Sequence, residues 1–166
     1  LNYGLAKDSA GYYSTLFDIF GFFGVLSAGF ISDRLFQGRR VAISFLMMLG
    51  LTLCTILMWF FGPQSLTLFA ITISLSGFML YGPDSLLTGA GAIDVGSRKY
   101  AIVAAGIING MGSCGSVVQE LIIGSLYKNN PSNLSPIFGL LIGSSIIATV
   151  LVFFLWLRAR AGKCNL

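Results

Sequence analysis

The sequence has 166 residues, of which 55% are hydrophobic and only 10% charged, with a formal net charge of +4. Soluble domains carry about a quarter of their residues as charges, so this composition excludes an ordinary soluble globular protein. The chain has no histidine, no Cys-x-x-Cys pair and no glycine-rich phosphate loop followed by lysine. The residues that usually form zinc, haem and nucleotide-hydrolysis sites are therefore missing from the sequence. We expect no metal, no cofactor, no catalytic residues and no enzymatic activity.

Apolar residues fall into five blocks of about 20 residues or more, which is the length that a helix needs to cross a bilayer. We therefore predict an all-α membrane protein with five transmembrane helices, at approximately 11–31, 41–61, 66–89, 101–127 and 137–157. The polar breaks between them are 32–40, 62–65, 90–100 and 128–136, and they are rich in residues that favour turns. A peripheral or lipid-anchored attachment does not fit this number of spans.

The start of the chain carries neither an initiator methionine nor the pattern of a signal peptide. An odd number of spans also places the two ends of the chain on opposite sides of the membrane. Both observations lead us to expect a piece of a larger helical bundle.

Basic residues predict the orientation in the membrane. Eight of the ten fall on one side, namely Arg34, Arg39, Arg40, Arg98, Lys99, Arg158, Arg160 and Lys163, whereas Lys7 and Lys128 fall on the other. Short loops with excess Lys and Arg stay in the cytoplasm. We therefore expect the N-terminal end outside and the C-terminal tail inside, in a plasma (inner) membrane. Since the basic residues are split among three loops, we expect no nucleic-acid partner.

The first span carries an acidic residue among small ones. Asp18, Gly21, Gly24 and Ala28 recur at spacings of three and four, so they share one helical face. Small residues let a second backbone approach closely, and this face is predicted to pack against another helix. A carboxylate that faces lipid costs at least about 2.5 kcal/mol, so we expect Asp18 to pair with a neighbouring helix terminus or a cation.

The end of the first span and the loop after it contain an ordered pattern of glycine, acidic and basic residues. Its members are Gly29, Asp33, Arg34, Gly38, Arg39 and Arg40. The pattern resembles the cytoplasmic signature of the major facilitator superfamily, although three residues rather than one separate Arg34 from Gly38. The resemblance implies a charged clasp, in which a carboxylate accepts hydrogen bonds from guanidinium groups in one conformation and releases them in another.

The third span contains the sequence Leu80-Tyr81-Gly82-Pro83-Asp84. Pro83 removes one backbone donor, so we predict a kink that leaves polar backbone exposed, with Asp84 beside it.

The fourth span carries a polar stripe. Asn109, Ser113, Ser116 and Glu120 recur at spacings of four, three and four, and Gln119 lies beside them. Packing alone would explain the serines, but the amides and the carboxylate favour a hydrated path.

The segment around Tyr81, together with the glycine-rich run 106–116, resembles the tenth and eleventh helices of the organophosphate:phosphate antiporters. The five spans then correspond to helices eight to twelve of a twelve-helix fold, and 1–166 to an incomplete C-terminal six-helix half. By this resemblance Tyr81 contacts substrate, although a packing tyrosine with a satisfied hydroxyl is the alternative. The expected substrate path consists of Tyr81, Asp84, Asn109, Ser113, Gln119 and Glu120.

The resemblance implies exchange of a small organic phosphate for inorganic phosphate by alternating access. Its partners would be the phosphorylated metabolite, inorganic phosphate, the lipid bilayer and the missing N-terminal half of the transporter. Two alternatives remain open. One is a proton-coupled facilitator for sugars or organic acids, with Asp84 or Glu120 as proton carrier, and the other is a membrane sensor that binds a sugar phosphate without transporting it.

Overall fold

The computed structural model describes residues 7–35, 40–129 and 133–160, and within these stretches it contains helices and no strand. The helices are α1 (Lys7–Leu35), α2 (Arg40–Phe61), α3 (Leu66–Ser85), α4 (Ala92–Asn129) and α5 (Ser135–Arg160), with a π-helical segment, Leu86–Gly91, between α3 and α4. Five stretches are long and apolar enough to cross a membrane: Gly11–Leu35, Arg40–Phe61, Leu66–Gly89, Tyr100–Asn129 and Ser135–Arg160. The predicted all-α membrane fold with five spans is confirmed.

The predicted break at 90–100 lies between two membrane spans, Leu66–Gly89 and Tyr100–Asn129, but it does not form a turn. Residues 90–100 are helical, because the π-helical segment runs directly into α4. This stretch contains glycines but no proline. Each glycine lowers helix propensity by about 1 kcal/mol but keeps its backbone donor, so helical hydrogen bonding can continue. The irregularity lies earlier, where the π-helical segment begins three residues after Pro83.

The break at 62–65 is present as a tight turn, in which the Gly62 N–H donates to the Met58 carbonyl at 3.0 Å. Before α5, the side-chain oxygen of Asn133 accepts a hydrogen bond from the Ser135 N–H at 3.0 Å, which satisfies one of the free donors at the start of that helix. The predicted break at 32–40 overlaps the last turn of α1 and the first residue of α2, and its residues 36–39 lie outside the described ranges.

Helix α3 is the centre of the bundle, since α1 and α2 both pack against it, while α5 packs on the far side of α2. Two clusters of buried apolar side chains hold this arrangement. The first consists of Ala28, Ile43, Met47 and Leu86, and the second of Val41, Met48, Leu51 and Val152.

Helices α1 and α3 meet at glycines. A Cβ atom at Gly24 would collide with the backbone carbonyl of Phe78, and one at Gly77 would collide with the backbone carbonyl of Phe17. Both glycines are buried. The two backbones therefore touch at points where only hydrogen occupies the Cβ position, as is typical of close helix pairs in membranes.

Helices α2 and α5 are joined by hydroxyl groups and aromatic rings. The Thr52 and Thr149 hydroxyls lie 3.0 Å apart. The Thr149 hydroxyl is also within hydrogen-bonding distance of two carbonyl oxygens, that of Met48 on α2 at 3.1 Å and that of Ser145 on its own helix at 2.8 Å. At the other end of the contact, Phe45 stacks on Trp156 with ring centroids 5.6 Å apart.

Helix α4 differs from the other four. All its residues from 106 to 122 are exposed, and none of its apolar window is buried by the rest of the described chain. It contacts the π-helical segment and, more sparsely, α5. Its position depends mainly on its connection to α3.

Candidate functional site

Two predicted site residues on α3 lie one helical turn apart. Tyr81 and Asp84 are separated by three positions, so they share a face of the helix. Pro83 lies between them and cannot donate a backbone hydrogen bond. This polar face of α3 has α1 on one side and α4 on the other.

On the α1 side, the hydroxyl of Tyr81 donates a hydrogen bond to Oδ1 of Asp18 over 2.8 Å. The ring of Tyr81 lies in space left by Gly21, whose missing side chain would otherwise overlap it. Phe17 flanks the ring, with centroids 5.6 Å apart and planes inclined at 56°. The partner of Asp18 in the structure is thus a phenol, rather than the cation or helix terminus expected from the sequence.

On the α4 side, an open cavity of about 410 Å³ separates the end of α3 from the middle of α4. Its lining consists of Asp84, Leu87, Thr88, Ile108, Asn109, Gly112, Ser113 and Ser116. The structure therefore brings together the predicted Asp84, Asn109 and Ser113 around one space. Tyr81, Gln119 and Glu120 are not part of this lining, and the last two are exposed farther along α4.

Sequence reasoning missed four residues of the cavity, Leu87, Thr88, Ile108 and Gly112. Thr88 lies four residues after Asp84, so the spacing placed both on one helical face. This spacing could have identified Thr88 from the sequence. It was passed over because Thr88 lies in an apolar block, where a single hydroxyl usually donates to a carbonyl of its own helix.

The serine and threonine hydroxyls around the cavity already donate hydrogen bonds to backbone carbonyls four residues earlier in the chain. Thr88 donates to the Asp84 carbonyl at 2.6 Å, Ser113 to the Asn109 carbonyl at 3.0 Å, and Ser116 to the Gly112 carbonyl at 3.2 Å. Their oxygen lone pairs remain as acceptors. With the Asp84 carboxylate they give the cavity an acceptor-rich, negatively charged wall, and its lining, among the residues the structure describes, includes no basic side chain.

The signature loop is only partly described. Gly29, Asp33 and Arg34 belong to the last turns of α1, and Arg40 begins α2. The guanidinium of Arg34 lies over the ring of Phe30, 5.2 Å from its centroid. Gly38 and Arg39 fall outside the described ranges, so the predicted clasp stays a prediction.

Proteins with similar sequences transport or exchange phosphate esters. Over 171 residues the chain is 34% identical to the "Putative glycerol-3-phosphate transporter 1" of Arabidopsis thaliana, covering 96% of this chain and 31% of that protein. It is also 34% identical to the "Glucose-6-phosphate exchanger SLC37A1" of Homo sapiens, over 96% of this chain and 30% of that protein. With the "Glycerol-3-phosphate transporter" of Bacillus subtilis it shares 30% identity, over 92% of this chain and 34% of that protein.

The chain thus spans about a third of the length of the curated relatives that it matches. No family model matches the sequence, and no solved structure matches it.

Proposed function

Because this chain belongs to the organophosphate:phosphate antiporter family of the major facilitator superfamily, we propose that it is part of a transporter that exchanges a small organic phosphate for inorganic phosphate. The observation that carries the proposal is the similarity along nearly the whole chain to glycerol-3-phosphate transporters and glucose-6-phosphate exchangers. The polar cavity between α3 and α4 supports it, since polar groups inside membrane spans are costly unless they face a path or a partner.

In this proposal, residues 1–166 contribute five helices of a C-terminal six-helix half, and the remaining helices come from the rest of the transporter. The two halves rock around a central site to give alternating access. The cavity walls described above offer acceptors and a carboxylate, which suit the hydroxyl-bearing part of a phosphate ester. The cationic groups that hold the phosphate would be supplied by helices outside this chain.

The chain is an integral multi-pass membrane protein, and we place its N-terminal end outside the plasma (inner) membrane and its tail in the cytoplasm. This orientation follows from the excess of basic residues near the span ends on one side of the membrane. A cysteine introduced at Asn133, which is exposed between α4 and α5, should react with an impermeant thiol reagent added outside intact cells. Reaction only after the cytoplasmic side is opened would reverse the proposed topology.

The function can be tested with the complete transporter in liposomes. Vesicles loaded with inorganic phosphate should take up radiolabelled glycerol 3-phosphate or glucose 6-phosphate, and vesicles without internal phosphate should not. Uptake of unphosphorylated sugar driven by a proton gradient, with no need for internal phosphate, would replace the proposal with a proton-coupled facilitator. Binding of a sugar phosphate without any flux would replace it with a sensor.

A further inference from the structure

We infer that the end of the contact between α2 and α5, where Arg160 lies over Trp156, binds the headgroup of an anionic phospholipid. The partner is a lipid of the surrounding bilayer and not the transported molecule, so the inference goes beyond the proposed function and does not depend on it. It is supported by the antiparallel pairing of the two helices, by an aromatic platform under the arginine, by the apolar outer faces of both helices and by their positive charge.

The pairing of α2 with α5 brings basic residues to one end of the helix pair. The threonine hydroxyls that join the helices lie 3.0 Å apart, and about two turns farther along Phe45 stacks on Trp156. From the first contact to the second, residue numbers fall along α2 and rise along α5, so the helices are antiparallel. The start of α2 at Arg40 and the end of α5 at Arg160 therefore lie at the same end of the pair.

Arg160 lies where lipid headgroups meet a membrane protein. It follows Trp156 by one helical turn, and its guanidinium carbon is 4.4 Å from the centre of the indole ring. Tryptophan is enriched at the headgroup level of a bilayer, and arginine side chains near helix ends extend toward the same region. A guanidinium above a ring keeps N–H donors in its own plane, and these suit paired hydrogen bonds to a phosphate.

The platform under Arg160 consists of three aromatic rings. Phe153 lies one turn before Trp156, with ring centroids 5.9 Å apart, and Phe45 lies across the helix contact, 5.2 Å from Phe153. All three side chains are partly buried. Trp156 and Phe45 also pack against the second buried cluster of the core. Since the rings are held by two helices, they offer a fixed surface beside the arginine.

The outer faces of α2 and α5 suit contact with lipid. Every exposed side chain of α2 is apolar or aromatic, and every exposed side chain of α5 from 146 to 157 is so too. In α4, by contrast, the exposed face carries amides and a carboxylate. Polar groups inside spans are costly unless they meet a path or a partner, whereas an apolar face can meet acyl chains without cost. We therefore place the open side of the aromatic platform against the bilayer.

The charge of the two helices determines which lipid fits. Neither α2 nor α5 contains aspartate or glutamate, and their basic residues are Arg40, Arg158 and Arg160. No carboxylate of either helix therefore offsets the positive charge at this end. An anionic phospholipid presents a phosphate above its acyl chains and matches arginine above an apolar face. A zwitterionic lipid has a similar shape, but its own cationic group offsets the phosphate.

The test uses the complete transporter in nanodiscs of phosphatidylcholine with increasing fractions of phosphatidylglycerol of the same acyl chains. The protein is labelled with 5-fluorotryptophan, and Trp156→Phe and Trp59→Phe identify the ¹⁹F resonances of the two tryptophans in this chain. The Trp156 resonance should shift with phosphatidylglycerol and reach saturation. The Trp59 resonance should not, because Trp59 lies near the opposite end of α2.

Variants of the arginine measure its part in lipid binding. Arg160→Gln should raise the fraction of phosphatidylglycerol needed for half-saturation by about fivefold, which corresponds to one basic residue at an anionic surface. Arg160→Lys keeps the charge but not the planar donor group, so its value should lie between those of wild type and Arg160→Gln. Lys128→Gln is the matched control, since it removes the same charge at the far end of α4 and should leave the value unchanged.

The response to lipid, rather than the starting position of the resonance, decides the outcome, so a shift caused by loss of stacking does not interfere. Equal responses from Trp156 and Trp59, or equal half-saturation for Arg160→Gln and wild type, would overturn the inference. So would an absent response, which would mean that another part of the transporter covers the platform. An equal shift with inorganic phosphate in pure phosphatidylcholine would replace the lipid site with a soluble-anion site. None of these measurements requires phosphate exchange, so failure of the proposed function leaves them valid.

Discussion

Helices α1 and α4 both carry glycines at helical spacing, but their surroundings in the structure are opposite. In α1, Gly21 and Gly24 are buried against α3, where a Cβ atom at either position would overlap Tyr81 or Phe78. In α4, a Cβ atom at Gly106, Gly110, Gly112 or Gly115 would meet no atom of another segment within 4 Å among the residues that the structure describes. The same spacing of glycines therefore lies in a close helix contact in α1 and on an exposed surface in α4.

The difference shows that small residues on a helix predict that another helix can pack closely against it, but they do not predict which helix does so. The partner of α1 lies on α3, more than 50 residues later in the chain, and both are within the described residues. For α4, the exposed polar stripe is expected to meet helices of the rest of the transporter or water. Four experiments test this contrast, beginning with the largest expected effect.

Gly24→Ala should destabilise the 166-residue chain by about 1–3 kcal/mol or more, because the new methyl group overlaps the backbone carbonyl of Phe78. Gly110→Ala is the matched control, as its position is open. Thermal unfolding in detergent, followed by circular dichroism, measures both. Equal melting temperatures for the two variants would contradict the close contact between α1 and α3.

The two cysteines that the structure describes should differ in reactivity by about tenfold or more, since accessibility limits attack by a thiol. Cys114 on α4 is exposed and Cys54 on α2 is 3% exposed. In a Cys164→Ser background, labelling of membranes with a water-soluble maleimide can be followed by mass spectrometry. Cys114→Ser should abolish the rapid phase. Protection of Cys114 would mean that this face of α4 is covered in the complete protein rather than hydrated.

Thr149→Val should lower the free energy of unfolding by about 0.5–1.5 kcal/mol. The substitution keeps the side-chain shape but removes the hydroxyl that links α5 to Thr52 and to the Met48 carbonyl. Ser144→Ala is the control, since the Ser144 hydroxyl donates to the Leu141 carbonyl of its own helix at 2.9 Å. The same melting experiment applies. A larger loss for Ser144→Ala would show that the contact between α2 and α5 does not depend on the threonine pair.

Glu120→Gln should give the smallest effect, a shift of a few fold in preference among organic phosphates with near-normal abundance in the membrane. Glu120 is exposed beyond the cavity lining, so this variant tests whether the path extends along α4. Abundance and uptake must be measured on the same membranes. Unchanged kinetics for every phosphate ester would remove Glu120 from the proposed substrate path.

The sequence predicted the spans well because bilayer length and apolar composition are properties of single segments. It placed Asp84, Asn109 and Ser113 in one candidate path, and the structure brings them around one cavity. It could not supply the partner of Asp18, because helical spacing defines a face but not what meets that face. It also predicted a break at 90–100 from turn-forming residues, whereas without a proline the backbone donors there allow the helix to continue.

The π-helical segment Leu86–Gly91 has a consequence for chain length. A π turn holds about one residue more than an α turn over the same rise, so it stores a single surplus residue without changing the direction of the flanking faces. Deleting one residue within the segment should convert it to α-helix and leave Asp84 facing α4. Deleting one residue within α3 would instead rotate everything after it by about 100°. Among relatives, single-residue insertions and deletions in this part of the chain should therefore be concentrated at 86–91.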